Sequence, residues 1–185
     1  MTVNSGDYPI GPANGKLTIN TFVGGMGAKM GHDLVLEAKD WDGTAHIDAE
    51  DPAASSVQVT VKSGSLEVVG ATGGLKPLTD KDKEDITVNL KKTLQTRQAP
   101  QITFRSTAMT GNPPKTSVEG DLTIVGRTRP VTLELAVDET PEGTQITGQT
   151  RFQQTDFGIK PYSKLGALKV KDEVEMHIDL TLSSS

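Results

Sequence analysis

Apolar residues occupy every second position along most of this chain, which is the period of a β-strand with one buried face. The last segment shows the pattern most clearly, with Val174, Met176, Ile178, Leu180 and Leu182 on one face and mainly charged or polar residues between them. Such alternation is typical of an antiparallel strand with one side packed on a core. It therefore limits most of the chain to all-β structure.

The same period predicts eight or nine strands, separated by segments rich in Gly, Pro, Asn and Asp. A β-hairpin is predicted from the runs at residues 118–124 and 131–137, with its turn at residues 126–130 and Pro130 where the second strand begins. Further strands are predicted near residues 17–19, 34–36, 41–47, 57–61, 102–104 and 146–152.

Residues 79–95 break the two-residue period and predict one helical excursion. Ile86, Leu90 and Leu94 fall four residues apart, acidic residues come early and lysines come late, and Thr79 stands where an N-cap is expected.

So many strands with one apolar face must close that face against a second sheet or against themselves. Closure into a barrel would also remove exposed strand edges, and we expect a single domain over residues 1–185, with residues 1–14 as an N-terminal arm. Small residues at inward positions, Gly43, Ala45, Gly120 and Gly148, indicate an interior that is not filled, although a two-sheet sandwich would show the same pattern.

Composition excludes several classes of function. A formal net charge of −5 with no basic stripe argues against a nucleic-acid binder, and the absence of cysteine excludes disulfides and zinc–thiolate sites. No apolar run approaches the ~20 residues of a membrane span, and the first 12 residues lack a signal-peptide core. We therefore expect a cytoplasmic protein, or a periplasmic or secreted one if a leader has been removed.

Four segments, residues 31–34 (Gly-His-Asp-Leu), 41–43 (Trp-Asp-Gly), 120–131 (Gly-Asp-Leu-Thr-Ile-Val-Gly-Arg-Thr-Arg-Pro-Val) and 155–159 (Thr-Asp-Phe-Gly-Ile), follow one another in the order seen in the YceI family, which the chain resembles. The resemblance implies an eight-stranded lipocalin-like barrel, a tunnel that holds a polyisoprenoid or another long amphiphilic chain, and pairing as a homodimer. The chain departs from the family at Gln154 and Thr155, where many members carry an Arg, and it shows no secretory leader.

The candidate ligand-binding residues are apolar side chains on the predicted inner faces, adaptable methionines, and a histidine at a strand entrance. For each apolar residue, ordinary core packing is the alternative. The set is Phe22, Met26, Met30, His32, Leu34, Leu36, Trp41, Val59, Val61, Ile102, Phe104, Leu122, Ile124, Phe152, Phe157 and Met176.

No catalytic or metal site is predicted, because His32, His46 and His177 are too scattered for a metal centre. The sequence leads to a non-catalytic carrier or store for a long apolar lipid, either a polyisoprenoid or an isoprenoid quinone, with no other cofactor and no nucleic-acid partner. Two alternatives stay open. One is a small barrel enzyme that uses His32 and Asp33 on a lipid-like substrate, and the other is an interaction module with a filled core.

Overall fold

The computed structural model describes residues 3–164 and 168–183. Its strands are β1 (Gly6–Ile10), β2 (Gly15–Thr21), β3 (Val23–Gly24), β4 (His32–Ala38), β5 (Trp41–Ile47), β6 (Ser56–Lys62), β7 (Leu66–Gly73), β8 (Gln101–Asn112), β9 (Lys115–Ile124), β10 (Arg127–Thr140), β11 (Gly143–Gln153), β12 (Ser163–Lys164), β13 (Leu168–Val170) and β14 (Glu173–Leu182). The single α-helix of the described residues is α1 (Asp80–Thr93).

Within the described residues, 11 strands form one antiparallel sheet in the order β1-β5-β6-β8-β9-β10-β11-β14-β2-β4-β7. A small second sheet, in the order β12-β13-β3, lies beside it. The all-β antiparallel class predicted from the alternation is confirmed.

The sheet has 11 strands among the described residues instead of the eight predicted. The difference arises because three long stretches are each interrupted once, between β1 and β2, between β4 and β5, and between β6 and β7. The corresponding halves pair with one another, β1 with β5, β2 with β4, β5 with β6 and β4 with β7. The predicted runs at residues 34–36 and 41–47 correspond to β4 and β5, whereas β7 was not predicted and β1 falls in the predicted N-terminal arm.

The sheet curls so that its two ends approach each other. β5 is second in the strand order and β4 is tenth, yet only Lys39 and Asp40 separate them in the chain, and two residues span less than about 11 Å from one strand to the next. The Lys39 N–H donates to the Ser65 carbonyl oxygen at 3.1 Å, and the Lys62 N–H donates to the Asp40 carbonyl oxygen at 3.0 Å. These bonds hold the bend where both ends of the sheet meet.

The N-terminal arm predicted over residues 1–14 is in part a strand of the sheet, because residues 6–10 form β1 and pair with β5 from Gly6↔Ile47 to Ile10↔Gly43. The predicted hairpin is present as β9 and β10, but its turn is shorter than expected and Pro130 lies inside β10. Proline is tolerated there because β10 pairs only with β9 at this point, its pairing with β11 beginning at Glu134.

The predicted helix is confirmed as α1, and its start has the predicted cap. The Asp82 N–H donates to Thr79 Oγ1 at 3.1 Å, and the Thr79 N–H donates to Asp82 Oδ2 at 2.8 Å, which together form a capping box. The hydrogen bonds from Thr79 hold the pKa of the Asp82 carboxyl below its usual value.

Candidate functional site: an apolar cavity in the curled sheet

The inner face of the curled sheet surrounds a cavity of about 260 Å³. Its wall is built mainly from Val, Leu and Ile side chains of ten strands of the sheet, and Leu90 of α1 and Leu94, its C-cap residue, also contribute to it. The volume lies slightly below the usual range for small-molecule pockets, about 300–1,000 Å³. The interior therefore holds space that the protein's own side chains leave unfilled.

The structure brings nine of the sequence-predicted ligand-binding residues together on this wall. Each lies on a strand of the main sheet with its side chain directed inward. They are Leu36, Val59, Val61, Ile102, Phe104, Leu122, Ile124, Phe152 and Met176. Their contact with a ligand stays a prediction.

Most of the remaining wall was not among the predicted ligand-binding residues, although the alternation placed several of its members on apolar strand faces. Leu17, Ile19, Leu133, Leu135, Val137, Ile146, Val174, Ile178, Leu180 and Leu182 also line the cavity. Strand periodicity was the signal that could have found them, since they alternate with outward residues on β2, β10, β11 and β14. The choice of candidates instead favoured aromatic residues and methionine.

Seven candidates are not part of the cavity wall: Phe22, Met26, Met30, His32, Leu34, Trp41 and Phe157. Trp41 is 3% exposed and belongs to the core, where its ring approaches Gly15 in the region where β1 bends into β2. Phe157, 1% exposed, packs edge-to-face against Phe152 with ring centroids 5.4 Å apart. Phe157 therefore supports a wall residue from behind.

Met26 and Met30 point into solvent. They lie in the loop that follows β3, and their side chains are 101% and 70% exposed. Phe22 and Leu34 are half-buried and do not reach the cavity.

His32 and Asp33 anchor backbone segments outside the cavity. His32 Nε2 donates to the Lys76 carbonyl oxygen at 2.7 Å, and Asp33 Oδ1 accepts from the Val23 N–H at 2.8 Å. Neither side chain lines the cavity, so this pair is not placed to act on a bound chain.

The small inward residues leave less space than the sequence indicated. A Cβ on Gly120 would lie 2.3 Å from the Phe104 ring, and one on Gly148 would lie 2.5 Å from Leu135 Cδ2. Neighbouring side chains occupy these positions, and only Ala45 of the four lines the cavity. The interior does contain a cavity, as the sequence indicated, but three of the four small residues from which this was inferred do not line it.

The cavity carries almost no charge. Among the described lining residues, Asp48 is the one charged side chain, and no Lys, Arg or His belongs to the wall. Asp48 Oδ1 accepts from the Glu50 and Asp51 N–H groups at 3.0 and 2.9 Å, within the loop between β5 and β6. Ser55 and Ser56 in the same region, with Thr116 and Thr144 near the starts of β9 and β11, give this end of the cavity its polar lining.

Within residues 3–164 and 168–183, no group of three or more His, Asp or Glu side chains is placed to hold a metal ion. In the same part of the chain, no helix has the length and apolarity needed to cross a membrane. The geometry defines a candidate binding site for an apolar molecule.

A curled antiparallel sheet around an apolar hollow is the architecture of small β-barrels with an internal cavity. The family model of the YceI-like domain matches residues 8–182. The chain therefore belongs to the YceI family.

Relatives and solved structures agree with this assignment. Protein YceI of Escherichia coli O6:H1 is 32% identical over 128 residues, which cover 66% of this chain and 61% of that protein. The structure of BcnA from Burkholderia cenocepacia matches with a TM-score of 0.70 at 19% identity, over 91% of this chain and 96% of that one. The YCEI protein of Campylobacter jejuni matches with a TM-score of 0.59 at 16% identity, over 81% of this chain and 84% of that one. At these identities the two structures show the shared fold.

Two of the family-like segments meet in the structure. Gly158 has a φ of +71°, and a Cβ there would lie 2.6 Å from Arg127 Cζ. The glycine allows both the left-handed turn after Phe157 and the approach of the guanidinium from the β9–β10 hairpin. Residues 155–159 and 120–131 therefore form one structural feature, next to Phe152 on the cavity wall.

Proposed function

We propose that the protein binds a long apolar chain, of the isoprenoid class, inside this cavity and holds or carries it without changing it chemically. The observation that supports the proposal is a hollow whose wall is almost entirely aliphatic. Apolar surface that enters such a space leaves water, and this transfer is favourable at about 0.8 kcal/mol per CH₂.

Chain length matters for affinity. A ten-carbon tail gains about 8 kcal/mol, while association costs roughly 4–15 kcal/mol, so short tails bind weakly. A longer chain must use the whole cavity, and Met109 and Met176 in its wall are side chains that adapt to an irregular guest.

The arrangement of polar groups supports binding over catalysis. His32 and Asp33, the pair that the sequence offered for an enzyme, are both engaged with backbone groups outside the cavity. Asp48, the charged group in the wall, is bonded within its own loop. Pairing of two copies as a homodimer stays a prediction.

A cavity-filling substitution tests the proposal. Ala45 is buried in β5 and lines the cavity, so Ala45→Phe places a ring where the guest would lie. We expect uptake of geranylgeraniol, measured by displacement of a fluorescent probe, to fall at least tenfold, and the smaller Ala45→Leu change to have an intermediate effect.

Ala108→Phe is the matched control, because Ala108 is an exposed residue of β8. It should bind geranylgeraniol as the unchanged protein does. Fluorescence of Trp41, the single tryptophan of the chain, reports whether each variant is folded. Equal uptake by folded Ala45→Phe and Ala108→Phe proteins, or no uptake by the unchanged protein and no lipid in its extracts by mass spectrometry, would contradict the proposal.

A further inference from the structure

Charge is segregated along this chain. Residues 22–31 and 157–171 contain five lysines, namely Lys29, Lys160, Lys164, Lys169 and Lys171, and no Asp, Glu or Arg. The rest of the chain contains the other 14 Lys and Arg residues and all 24 Asp and Glu residues, so its formal charge is −10, whereas the two segments together have a formal charge of +5.

The fold brings the two segments together, although more than 120 residues separate them in sequence. β13 pairs with β3, placing Lys169 opposite Gly24, and the Lys171 N–H donates to the Phe22 carbonyl oxygen at 2.7 Å. We call the surface formed by the described residues of these two segments the basic pole. It was invisible as a stripe in the sequence because its lysines come from two places.

The lysines of the basic pole are exposed and form no salt bridge among the described residues. All five are exposed, and within the described residues none has its ammonium within 4.0 Å of a carboxylate oxygen. Acidic residues border the basic pole: Asp33 Oδ1 accepts from the Val23 N–H at 2.8 Å, Asp172 follows Lys171 in the chain, and the charge of Lys164 contributes to lowering the pKa of the Asp82 carboxyl at the start of α1. The acidic first turn of α1 therefore borders the basic pole at Lys164.

Exposed apolar side chains lie on the same surface. Met26 and Met30 project from the loop after β3, and Tyr162, just before β12, is 42% exposed. Methionine at a fully exposed loop position gains nothing from the fold of the isolated chain. Lysines interspersed with exposed apolar residues are the combination that lies at a lipid interface, with apolar groups among the headgroups and cations on anionic lipids.

The basic pole lies at one end of the cavity. Thr21, which directly precedes Phe22, and Ile159, a buried residue of the second segment, both line the cavity. Gln154, also in the cavity wall, donates through Nε2 to the Lys171 carbonyl oxygen at 3.0 Å.

We propose that the basic pole docks on the surface of a bilayer that contains anionic lipids, with Met26 and Met30 entering the headgroup region and the end of the cavity near Thr21 and Gln154 facing the membrane. The positive charge of the lysines favours an anionic surface as the partner. The exposed methionines favour a lipid surface, because binding to an acidic protein or a nucleic acid would require only the lysines. The proposal concerns the outer surface and does not rest on the proposed cargo.

Sedimentation with vesicles tests it. The unchanged protein should bind vesicles made of an equimolar mixture of phosphatidylglycerol and phosphatidylcholine. It should bind vesicles of pure phosphatidylcholine much more weakly. Raising the salt concentration should release it from the mixed vesicles. A lysine near such a surface contributes roughly a fivefold effect, so Lys160→Gln/Lys169→Gln should lower the partition coefficient roughly 25-fold.

The matched control is Lys16→Gln/Lys115→Gln, which removes the same charge from exposed positions at the starts of β2 and β9, the ends of those strands that are remote from the basic pole. It should change binding less than threefold. Met26→Ser/Met30→Ser should weaken binding roughly tenfold, whereas Val88→Ser, at an exposed site on α1, should not.

Three results would overturn the proposal: no binding to anionic vesicles at low salt, equal losses in the two lysine pairs, or unchanged binding by the methionine variant together with equally tight binding to polyglutamate. Cavity loading is measured separately with geranylgeraniol, so failure of membrane docking and failure of lipid holding give different results.

Discussion

Gly143 is buried where the turn after β10 meets the last strand, and its φ of +135° is one that residues with a side chain rarely adopt. A Cβ there would lie 2.3 Å from the Leu182 carbonyl oxygen, a backbone atom of β14. Gly6 has a φ of +156° but nothing within 4 Å of such a Cβ. The two glycines therefore separate the cost of an unusual φ from the cost of a clash.

We predict that Gly6→Ala costs about 1–3 kcal/mol, the ordinary cost of a sparsely populated backbone conformation. Gly143→Ala should cost at least about 2 kcal/mol more, because the Leu182 carbonyl cannot move without disturbing the pairing of β11 with β14. Urea denaturation followed by Trp41 fluorescence measures both values. Equal costs would show that the backbone near Leu182 relaxes freely.

At the same scale, alternation assigns an inner or outer face, and it was reliable where the strand is regular. Val59, Val61, Leu122 and Ile124 were placed in the wall for that reason. Side-chain type was a poor guide, because a large side chain also packs behind the wall, as Trp41 does, or projects into solvent, as Met26 does. Those outcomes depend on tertiary contacts that no local pattern contains.

Among the elements, β14 carries a charged cluster on its outer face. Glu175 accepts a hydrogen bond from the His177 ring and forms a salt bridge with Arg151 of β11 at 2.7 Å. The His177 hydrogen bond, followed by the charge of Arg151, holds the pKa of the Glu175 carboxyl below its usual value. A carboxyl whose folded pKa is depressed stabilises the fold above its unfolded pKa, and this contribution is lost as pH falls through the folded pKa.

We therefore predict that Glu175→Gln lowers the free energy of unfolding by about 0.5 kcal/mol at pH 7, the scale of a partly exposed ion pair. The difference from the unchanged protein should shrink as pH is lowered from 5 towards 3, since both proteins then lack the ionised group. Urea titrations at several pH values measure it. Glu119→Gln, at an exposed site on β9, should show no such pH-dependent difference; a difference that stays constant with pH would argue against the assigned cause.

The elements themselves were predictable to different degrees. α1 and its cap followed from spacing, charge order and Thr79, all local signals. The bends at residues 39–40 and 63–65 show in the sequence only as shifts in phase of the apolar alternation, from even to odd positions at the first bend and from odd to even positions at the second. A local shift of this kind does not say which distant strands pair on either side of the bend. The bends result from the curl of the whole sheet, which joins strands that are distant in sequence.

In the molecule as a whole, the basic side chains lie on the outer surface and not in the described wall of the cavity. No Lys, Arg or His lines the described part of the cavity, whereas the basic pole lies on the outer surface at one of its ends. A carboxylate drawn into this cavity would therefore lose its hydration without gaining an opposite charge, which is costly.

We predict that geranylgeraniol binds at least tenfold more tightly than geranylgeranoic acid at pH 7, although the two chains are the same. Isothermal titration or probe displacement measures the ratio. Lowering the pH below the pKa of the free acid should bring the two affinities together, because the head is then neutral. Comparable affinities at pH 7 would mean that the head lies outside the cavity, in water or beside the lysines.

The pairing of β2 with β14, in which Leu17 stands opposite Ile178, joins the early and late parts of the chain. On a ribosome, β2 emerges long before its partner has been made, and its edge stays unpaired for most of synthesis. Contacts between residues so far apart in sequence form slowly, and exposed strand edges promote aggregation in the meantime. During synthesis the apolar inner face of the sheet therefore stays exposed. We expect chaperones to bind the nascent chain until β14 pairs with β2 and β11.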